Sequence, residues 1–214
     1  MRVPAVVISE ASVGGPYEPE GGGDHRQLSQ GRATDSAVEA ILEGAREKGA
    51  QTQTFYLTCQ HLEFCTNCRQ CTQTPGPEGG ECAQQDDLET LLTEIEAADA
   101  VVLGSSINFG GVTAIFRKFT ERLIGFFYWP WGEGMPKLRR KVATRKAVLV
   151  ASSGMPGIFI PLFTGVGTAL RLTAKTLGAK PVASLWIGLS AMEQNHRLSA
   201  QTRERARRIG WKLA

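Results

Sequence analysis

The feature that most constrains the fold of this chain is a fivefold alternation of short strand-like runs with longer amphipathic segments. The predicted strands are Val3–Ser9, Gln53–Leu57, Ala100–Leu103, Ala147–Ala151 and Val182–Ile187. Short, largely apolar runs are typical of strands buried on both faces of a parallel sheet. The alternation therefore predicts an α/β protein with a doubly wound, five-stranded parallel sheet and helices on both faces.

Five segments between and after these runs predict helices, because their apolar residues recur at helical spacing. The first helix is expected to begin at an N-cap on Thr34 or Asp35 and to end before Gly49. The other four predicted helices are Asp87–Ala97, Thr113–Ile124, Thr164–Leu177 and Ala200–Leu213.

Composition indicates one globular domain. A chain of 214 residues, 42% apolar and 21% charged, can bury a full core, and no linker or internal repeat divides it. We predict a single domain over residues 1–214, with a Gly/Pro-rich insert at about 10–28 and a cysteine loop at about 58–85. A net charge of +3 is too small to indicate nucleic acid binding. We expect no membrane span, because no apolar run is long enough, and a cytoplasmic location, because the start of the chain turns polar too early for a secretory signal.

All five cysteines lie between positions 59 and 82. Such crowding indicates a shared task, which in a reducing compartment is metal binding or thiol chemistry before disulfide formation. Cys65, Cys68 and Cys71 follow a C-x2-C-x2-C pattern, and Cys82 supplies a fourth sulfur at ferredoxin-like distance. A [4Fe–4S] cluster, a zinc ion and a metal-free redox loop all remain open at this point. Cys59 is expected to be a small packed residue.

Polar, glycine-bearing loops follow three of the predicted strands. A ligand of an open parallel sheet binds outside the carboxyl ends of the strands, where strand order reverses. Strand one leads to Ser9 and then to Ser29, Arg32, Thr34 and Ser36 at the start of the first helix, a combination that suits an anion as well as ordinary helix capping. The other two loops contain Ser105, Ser106, Ile107, Asn108, Phe109 and Gly110, and Ser152, Ser153 and Gly154. Three such loops at one sheet edge predict one shared ligand.

These motifs carry a resemblance. The cysteine run, the Asp86-Asp87-Leu88 that follows it and the stretch from Ala97 to Gly111 resemble the flavodoxin-like NAD(P)H-dependent FMN reductases, in their iron–sulfur flavoprotein branch. The resemblance extends over essentially the whole chain and implies the sheet order 2-1-3-4-5. It also implies that Ser9 and the region from Ser29 to Ser36 hold the FMN phosphate. The segments Ser105–Gly110 and Ser152–Gly154 would then flank the flavin ring.

The resemblance implies an FMN-binding oxidoreductase that passes electrons from NAD(P)H to a small acceptor such as a quinone, a flavin, oxygen or a metal species. Cys65, Cys68, Cys71 and Cys82 would hold the possible [4Fe–4S] cluster, and no side chain is expected to act as an acid or base. Two alternatives are an electron carrier serving a ferredoxin-like partner and a non-enzymatic thiol redox or metal sensor. A homodimer or homotetramer is expected, without nucleic acid. The aromatic loop, residues 126–131, is expected to serve the core, an interface or the cover of the flavin.

Overall fold

The computed structural model describes residues 4–9, 33–78, 80–192 and 197–214. The predicted insert at about 10–28 and the predicted cofactor residues Ser29 and Arg32 lie outside the described residues. In chain order the described elements are β1 (Pro4–Ser9), α1 (Ala33–Glu47), β2 (Gln51–Tyr56), α2 (Leu88–Ala97), β3 (Ala100–Asn108), β4 (Gly111–Val112), α3 (Ala114–Arg122), β5 (Phe127–Tyr128), β6 (Lys137–Leu138), β7 (Arg145–Ser152), α4 (Ile160–Phe163), α5 (Val166–Thr176), β8 (Ala179–Ile187) and α6 (Ala200–Gly210).

The central sheet has the predicted architecture. Five strands run parallel in the order β2-β1-β3-β7-β8, and the short β4 pairs antiparallel with the end of β3. In order of appearance along the chain, the five parallel strands follow the pattern 2-1-3-4-5, so the predicted order is confirmed. The strand register aligns the carboxyl ends, because Ser9 lies opposite Gly104 and Ser106 lies opposite Ser152.

Apolar side chains fill both faces of the sheet. On one face α2, α3 and α5 cover the strands, with Phe116 and Phe119 fully buried and their rings edge to face at 6.2 Å. On the other face lie α1 and α6. Their backbones approach closely: a Cβ added at Gly44 of α1 would lie 2.0 Å from the carbonyl oxygen of Arg207 in α6. A glycine in a helix interior, unfavourable by propensity, is here required by packing.

Several boundaries differ from the sequence prediction by a few residues, and at α1 and β3 the difference has a clear physical reason. Helix α1 already contains Thr34 and Asp35 in its first turn, so the prediction that either is the N-cap is wrong. Both side chains bond to strand ends instead of capping the helix. Strand β3 runs to Asn108, five residues beyond the predicted end, because Ile107 and Asn108 pair with β4.

No single helix among the described residues is long and apolar enough to cross a membrane. The bent pair Gly157–Phe163 and Val166–Thr176 meets that criterion by length and composition only when its two halves are counted together.

Candidate functional site

A cluster of three hydroxyl groups joins the start of α1 to the ends of β3 and β7. Thr34 Oγ1 lies 2.7 Å from Ser152 Oγ and 3.3 Å from Ser106 Oγ, and the two serine oxygens are 3.4 Å apart. Thr34 and Ser152 are buried, and Ser106 is half-buried. Buried hydroxyls of this kind must find partners within the protein. The cluster therefore fixes the geometry of the sheet edge where the resemblance places the cofactor.

Two other buried serines have the same structural task. Ser9 Oγ at the end of β1 donates to Asp35 Oδ1 at 3.0 Å, which connects the strand to α1. Ser105 Oγ accepts from the backbone N–H of Thr113 at 3.2 Å and donates to the carbonyl oxygen of Ser106. Thr113 is in turn the N-cap of α3. The hydroxyls of Ser9 and Ser105 thus hold this edge together from inside.

A two-residue hairpin projects from the same edge. Phe109 and Gly110 connect Asn108 of β3 to Gly111 of β4, and both connecting residues have positive φ, +49° and +73°. This is the conformation of a type I′ turn, which disfavours a bulky residue such as phenylalanine at its first central position. The ring of Phe109 is nevertheless fully exposed. A strained, exposed aromatic residue at the carboxyl edge of a parallel sheet is a candidate for ligand recognition.

The third predicted loop ties the ends of β7 and β8 together. The backbone N–H of Ser153 donates to the carbonyl oxygen of Ile187, and the N–H of Ser190 donates to the carbonyl oxygen of Ser153. Ser153 Oγ accepts from the N–H of Met155 at 3.2 Å. Gly154 beside them is exposed.

The structure brings most of the predicted cofactor residues to one edge in two layers. The buried layer contains Ser9, Thr34, Ser105, Ser152 and Ser153, whose side chains bond within the protein. The accessible layer contains Ser36, Ser106, Ile107, Asn108, Phe109, Gly110 and Gly154. A Cβ added at Gly110 or Gly111 would meet no atom of the described residues within 4 Å, so this part of the chain leaves room beside the hairpin for a flat ring.

The four cysteines of the C-x2-C-x2-C…C pattern surround one small cavity of about 20 Å³. Cys71 is buried, Cys65 is half-buried, and Cys68 and Cys82 are exposed. Burial raises the pKa of the Cys71 thiol, and the neighbouring Cys82, Cys68 and Cys65 raise it further. Cys59 is not part of the cavity lining and is exposed, so the prediction that it is a packed residue is wrong.

One residue of a buried ion pair lines this cavity. Arg122, the last residue of α3, pairs with Asp86, and their side chains are 1% and 0% exposed. Arg122 Nη1 also donates to the carbonyl oxygen of Glu63 at 2.7 Å, and Nη2 donates to Cys82 Sγ at 3.3 Å. Burial alone would raise the pKa of Asp86, but hydrogen bonds from Arg122, Glu63 and Leu88 outweigh it, so this pKa lies below its ordinary value.

Two further arginines anchor the cysteine loop to the aromatic loop. The Arg69 guanidinium carbon lies 3.8 Å from the Trp129 ring centroid and 4.2 Å from that of Trp131, and Nη2 donates to the carbonyl oxygen of Trp129. Arg139 donates to the carbonyl oxygens of Cys71, Thr74, Gly76 and Gly125. These contacts hold the loop in shape through its backbone and not through its sulfurs.

The side chains that could act as metal ligands do not form a site for a single metal ion in the described part of the chain. Among the described residues, no group of three or more histidine, cysteine or carboxylate side chains is drawn together closely enough to hold a metal ion. The four thiols instead ring a cavity that is large enough for one water-sized group. Their number and spacing fit a [4Fe–4S] cluster, which separates its ligands more widely than a single ion does.

Arg69, Arg122 and Arg139 were not predicted from the sequence. Arg122 has the sequence context of an ordinary cation in the last turn of a helix, and Asp86 that of an acid favoured at a helix N-terminus. The one usable signal was the placement of Arg69 between Cys68 and Cys71, since a cation among thiols stabilises thiolates.

The sequence matches a known protein family. The sequence profile of the family described as NADPH-dependent FMN reductase matches residues 27–194, which include every element from α1 to β8. The chain belongs to the NADPH-dependent FMN reductase family. Membership confirms the predicted family.

Individual relatives agree with this assignment. An iron–sulfur flavoprotein of Methanocaldococcus jannaschii is 30% identical over 125 residues, which are 56% of this chain and 57% of that protein. The chain spans about half the length of the curated relatives it matches. These relatives are iron–sulfur flavoproteins, which is the branch that the sequence resemblance predicts.

Two solved structures share the fold. An NAD(P)H:quinone oxidoreductase from Methanothermobacter marburgensis has a TM-score of 0.61 at 18% identity, with full coverage of both chains. An archaeal flavodoxin has a TM-score of 0.53 at 14% identity, covering 98% of this chain and 95% of its own. At these identities the likeness confirms the flavodoxin-like fold.

Proposed function

We propose that this protein binds FMN and passes electrons from NAD(P)H to a small acceptor such as a quinone, a flavin, oxygen or a metal species. FMN held at this edge would supply the hydride chemistry that connects a nicotinamide to the acceptor. The observation that carries the proposal is the two-layered sheet edge, which lies at the switch in strand order of a family whose members reduce FMN.

The two layers have different tasks in this proposal. The buried hydroxyls of Ser9, Thr34, Ser105 and Ser152 keep the strand ends in register, so the accessible layer presents a rigid surface. The hairpin from Ser106 to Gly110 and the exposed Gly154 border the ring. Ser36, together with Ser29 and Arg32 outside the described residues, is assigned to the phosphate. Backbone N–H groups and hydroxyls orient the ring, and the site needs no acid or base of its own.

We further propose that Cys65, Cys68, Cys71 and Cys82 hold a [4Fe–4S] cluster. Three observations support this assignment: the ring of four thiols, the cation at Cys82, and the likeness to iron–sulfur flavoproteins. The exposure of Cys68 and Cys82 favours a second function, in which the cluster serves a ferredoxin-like protein partner. That carrier would show little NAD(P)H oxidation.

Purification under anaerobic conditions tests both parts of the proposal. We expect a yellow-brown protein with bound FMN and with iron and acid-labile sulfide in the equal amounts of a [4Fe–4S] cluster. NADH or NADPH oxidation should become rapid when a quinone is added. A colourless protein that takes up neither FMN nor iron but changes its oligomeric state on oxidation would instead support the thiol sensor.

Serine substitutions test which cysteines are ligands of the proposed cluster. We expect Cys82→Ser to lose most of its iron because a hydroxyl replaces one of four thiolate ligands, whereas the matched Cys59→Ser should retain wild-type iron. Iron analysis and the visible spectrum after reconstitution measure this. FMN content should be the same in both variants, since neither residue belongs to the buried or the accessible layer described above. Equal iron in the two variants would remove Cys82 from the ligand set.

Three further assignments complete the proposal. One domain, built on both faces of one sheet, accounts for the described elements. A cytoplasmic location suits its five free thiols. A homodimer or homotetramer would cover the exposed apolar side chains of Ile158, Leu162 and Phe163.

A further inference from the structure

Arg122 carries a buried positive charge into the cysteine loop. A helix end on the protein surface is satisfied by solvent, yet α3 directs this guanidinium into the cysteine loop, where its side chain is 1% exposed. Burying a cation is costly unless it is paired and fully hydrogen-bonded. Asp86 and the carbonyl oxygen of Glu63 supply part of that compensation.

The remaining donors of Arg122 face sulfur or have no acceptor. Its Nη2 donates to Cys82 Sγ at 3.3 Å in addition to Asp86. Its Nε–H is buried and donates to no atom of the described residues. Arg122 also lines the cavity between the four cysteines. Arg122 thus combines a buried, unpaired donor with a place in the wall of a sulfur-ringed cavity, so an acceptor bound in the cavity could satisfy it.

We propose that Arg122, oriented by Asp86, is a positioning residue that raises the reduction potential of the cluster held by the four cysteines. This inference rests on the cluster proposed above. Reduction adds one electron and no proton to the cluster, so the added negative charge remains beside the guanidinium. Hydrogen bonds to cluster and cysteine sulfurs and local charge are the factors by which a protein sets such a potential. The donors of Arg122 favour the reduced form.

The test is a redox titration of the reconstituted full chain, with dithionite as the reductant and mediators present, followed by the electron paramagnetic resonance signal of the reduced cluster. For Arg122→Gln we expect at least a tenfold loss in the equilibrium constant for one-electron reduction, which is a shift of about 59 mV to more negative potential. Arg122→Lys keeps the charge but loses the fork of donors, so a smaller shift of the same sign is expected.

Arg140→Gln is the matched control, because Arg140 pairs with the exposed Glu96 and is not among the residues lining the cavity. Its potential should stay that of the wild type. An Arg122→Gln protein with full iron content and an unchanged potential overturns the inference, as does an equal shift in Arg140→Gln. If Arg122→Gln fails to fold, Arg122→Lys decides, and an unchanged potential there overturns it. A wild-type chain without iron after reconstitution overturns the proposed cluster as well, which separates the two failures.

Discussion

At the scale of single residues, Phe109 is one of four non-glycine residues with a positive φ in the described part of the chain. A left-handed conformation costs an L-residue about 1–2 kcal/mol, and the exposed ring recovers none of this by packing within the described protein. Strain that no internal contact offsets is expected where a side chain serves a ligand. In the proposed function that ligand is the flavin ring.

Replacement of this residue separates stability from binding. We expect Phe109→Asn to raise the free energy of unfolding by about 1 kcal/mol, because Asn-Gly is the preferred pair in a type I′ turn. Urea denaturation of the FMN-free protein measures this change. FMN affinity, followed by quenching of flavin fluorescence, should fall in the same variant. Tighter or equal FMN binding would contradict a role for the ring at the flavin.

The sequence was sufficient to locate the polar loops, but it could not show which of their side chains are buried and which are accessible. Ser105, Ser106 and Ser152 each follow an apolar run, which is enough to place them at the carboxyl edge. Which hydroxyls face inward depends on the register that sets Ser106 opposite Ser152, and register is a property of the assembled sheet. The burial of Arg122 depends likewise on a loop about forty residues earlier in the chain.

At the scale of elements, α1 and α6 are packed at backbone distance. Helix boundaries were predictable to within a few residues because apolar spacing and flanking glycines mark them, as at Gly49 with its φ of +88°. The close approach of the two helices was not predictable, since an isolated helical glycine such as Gly44 has no local signal for its partner.

Alanine substitutions at two helical glycines test this contact. At Gly44 the added methyl group would meet the backbone of α6, which cannot yield, so we expect Gly44→Ala to lower stability by about 1–3 kcal/mol. Gly167→Ala in α5 is the control, because the nearest described atoms to its methyl group belong to the flexible end of the Arg171 side chain. That variant should be neutral or slightly stabilised by helix propensity. Thermal unfolding of both proteins gives the comparison.

At the scale of the whole molecule, the Asp86–Arg122 pair joins the cysteine loop to the helical layer that covers the sheet. Because the pKa of Asp86 is depressed in the folded state, its ionisation stabilises the fold fully above its unfolded pKa. This contribution is lost as the pH falls through the lower, folded value. The pair therefore links acid stability to the geometry of the cysteine loop.

The metal-free protein should show this link directly. We expect the melting temperature of the wild type to fall more steeply below about pH 4 than that of Asp86→Asn, whose amide does not titrate there. At neutral pH the variant should be the less stable of the two, because Arg122 would be left buried beside a neutral group. Parallel slopes in the acid range would show that another carboxylate dominates.

The arginine contacts of the cysteine loop also bear on how such a protein matures. Arg139 donates hydrogen bonds to backbone carbonyl oxygens, and Arg69 contacts an indole ring and a carbonyl oxygen of the aromatic loop. None of these contacts involves a cysteine sulfur. In the proposed function, these contacts would give the loop its shape before any cluster is inserted. A cysteine loop held in this way could lose a cluster to oxidative damage and bind a new one without unfolding of the chain.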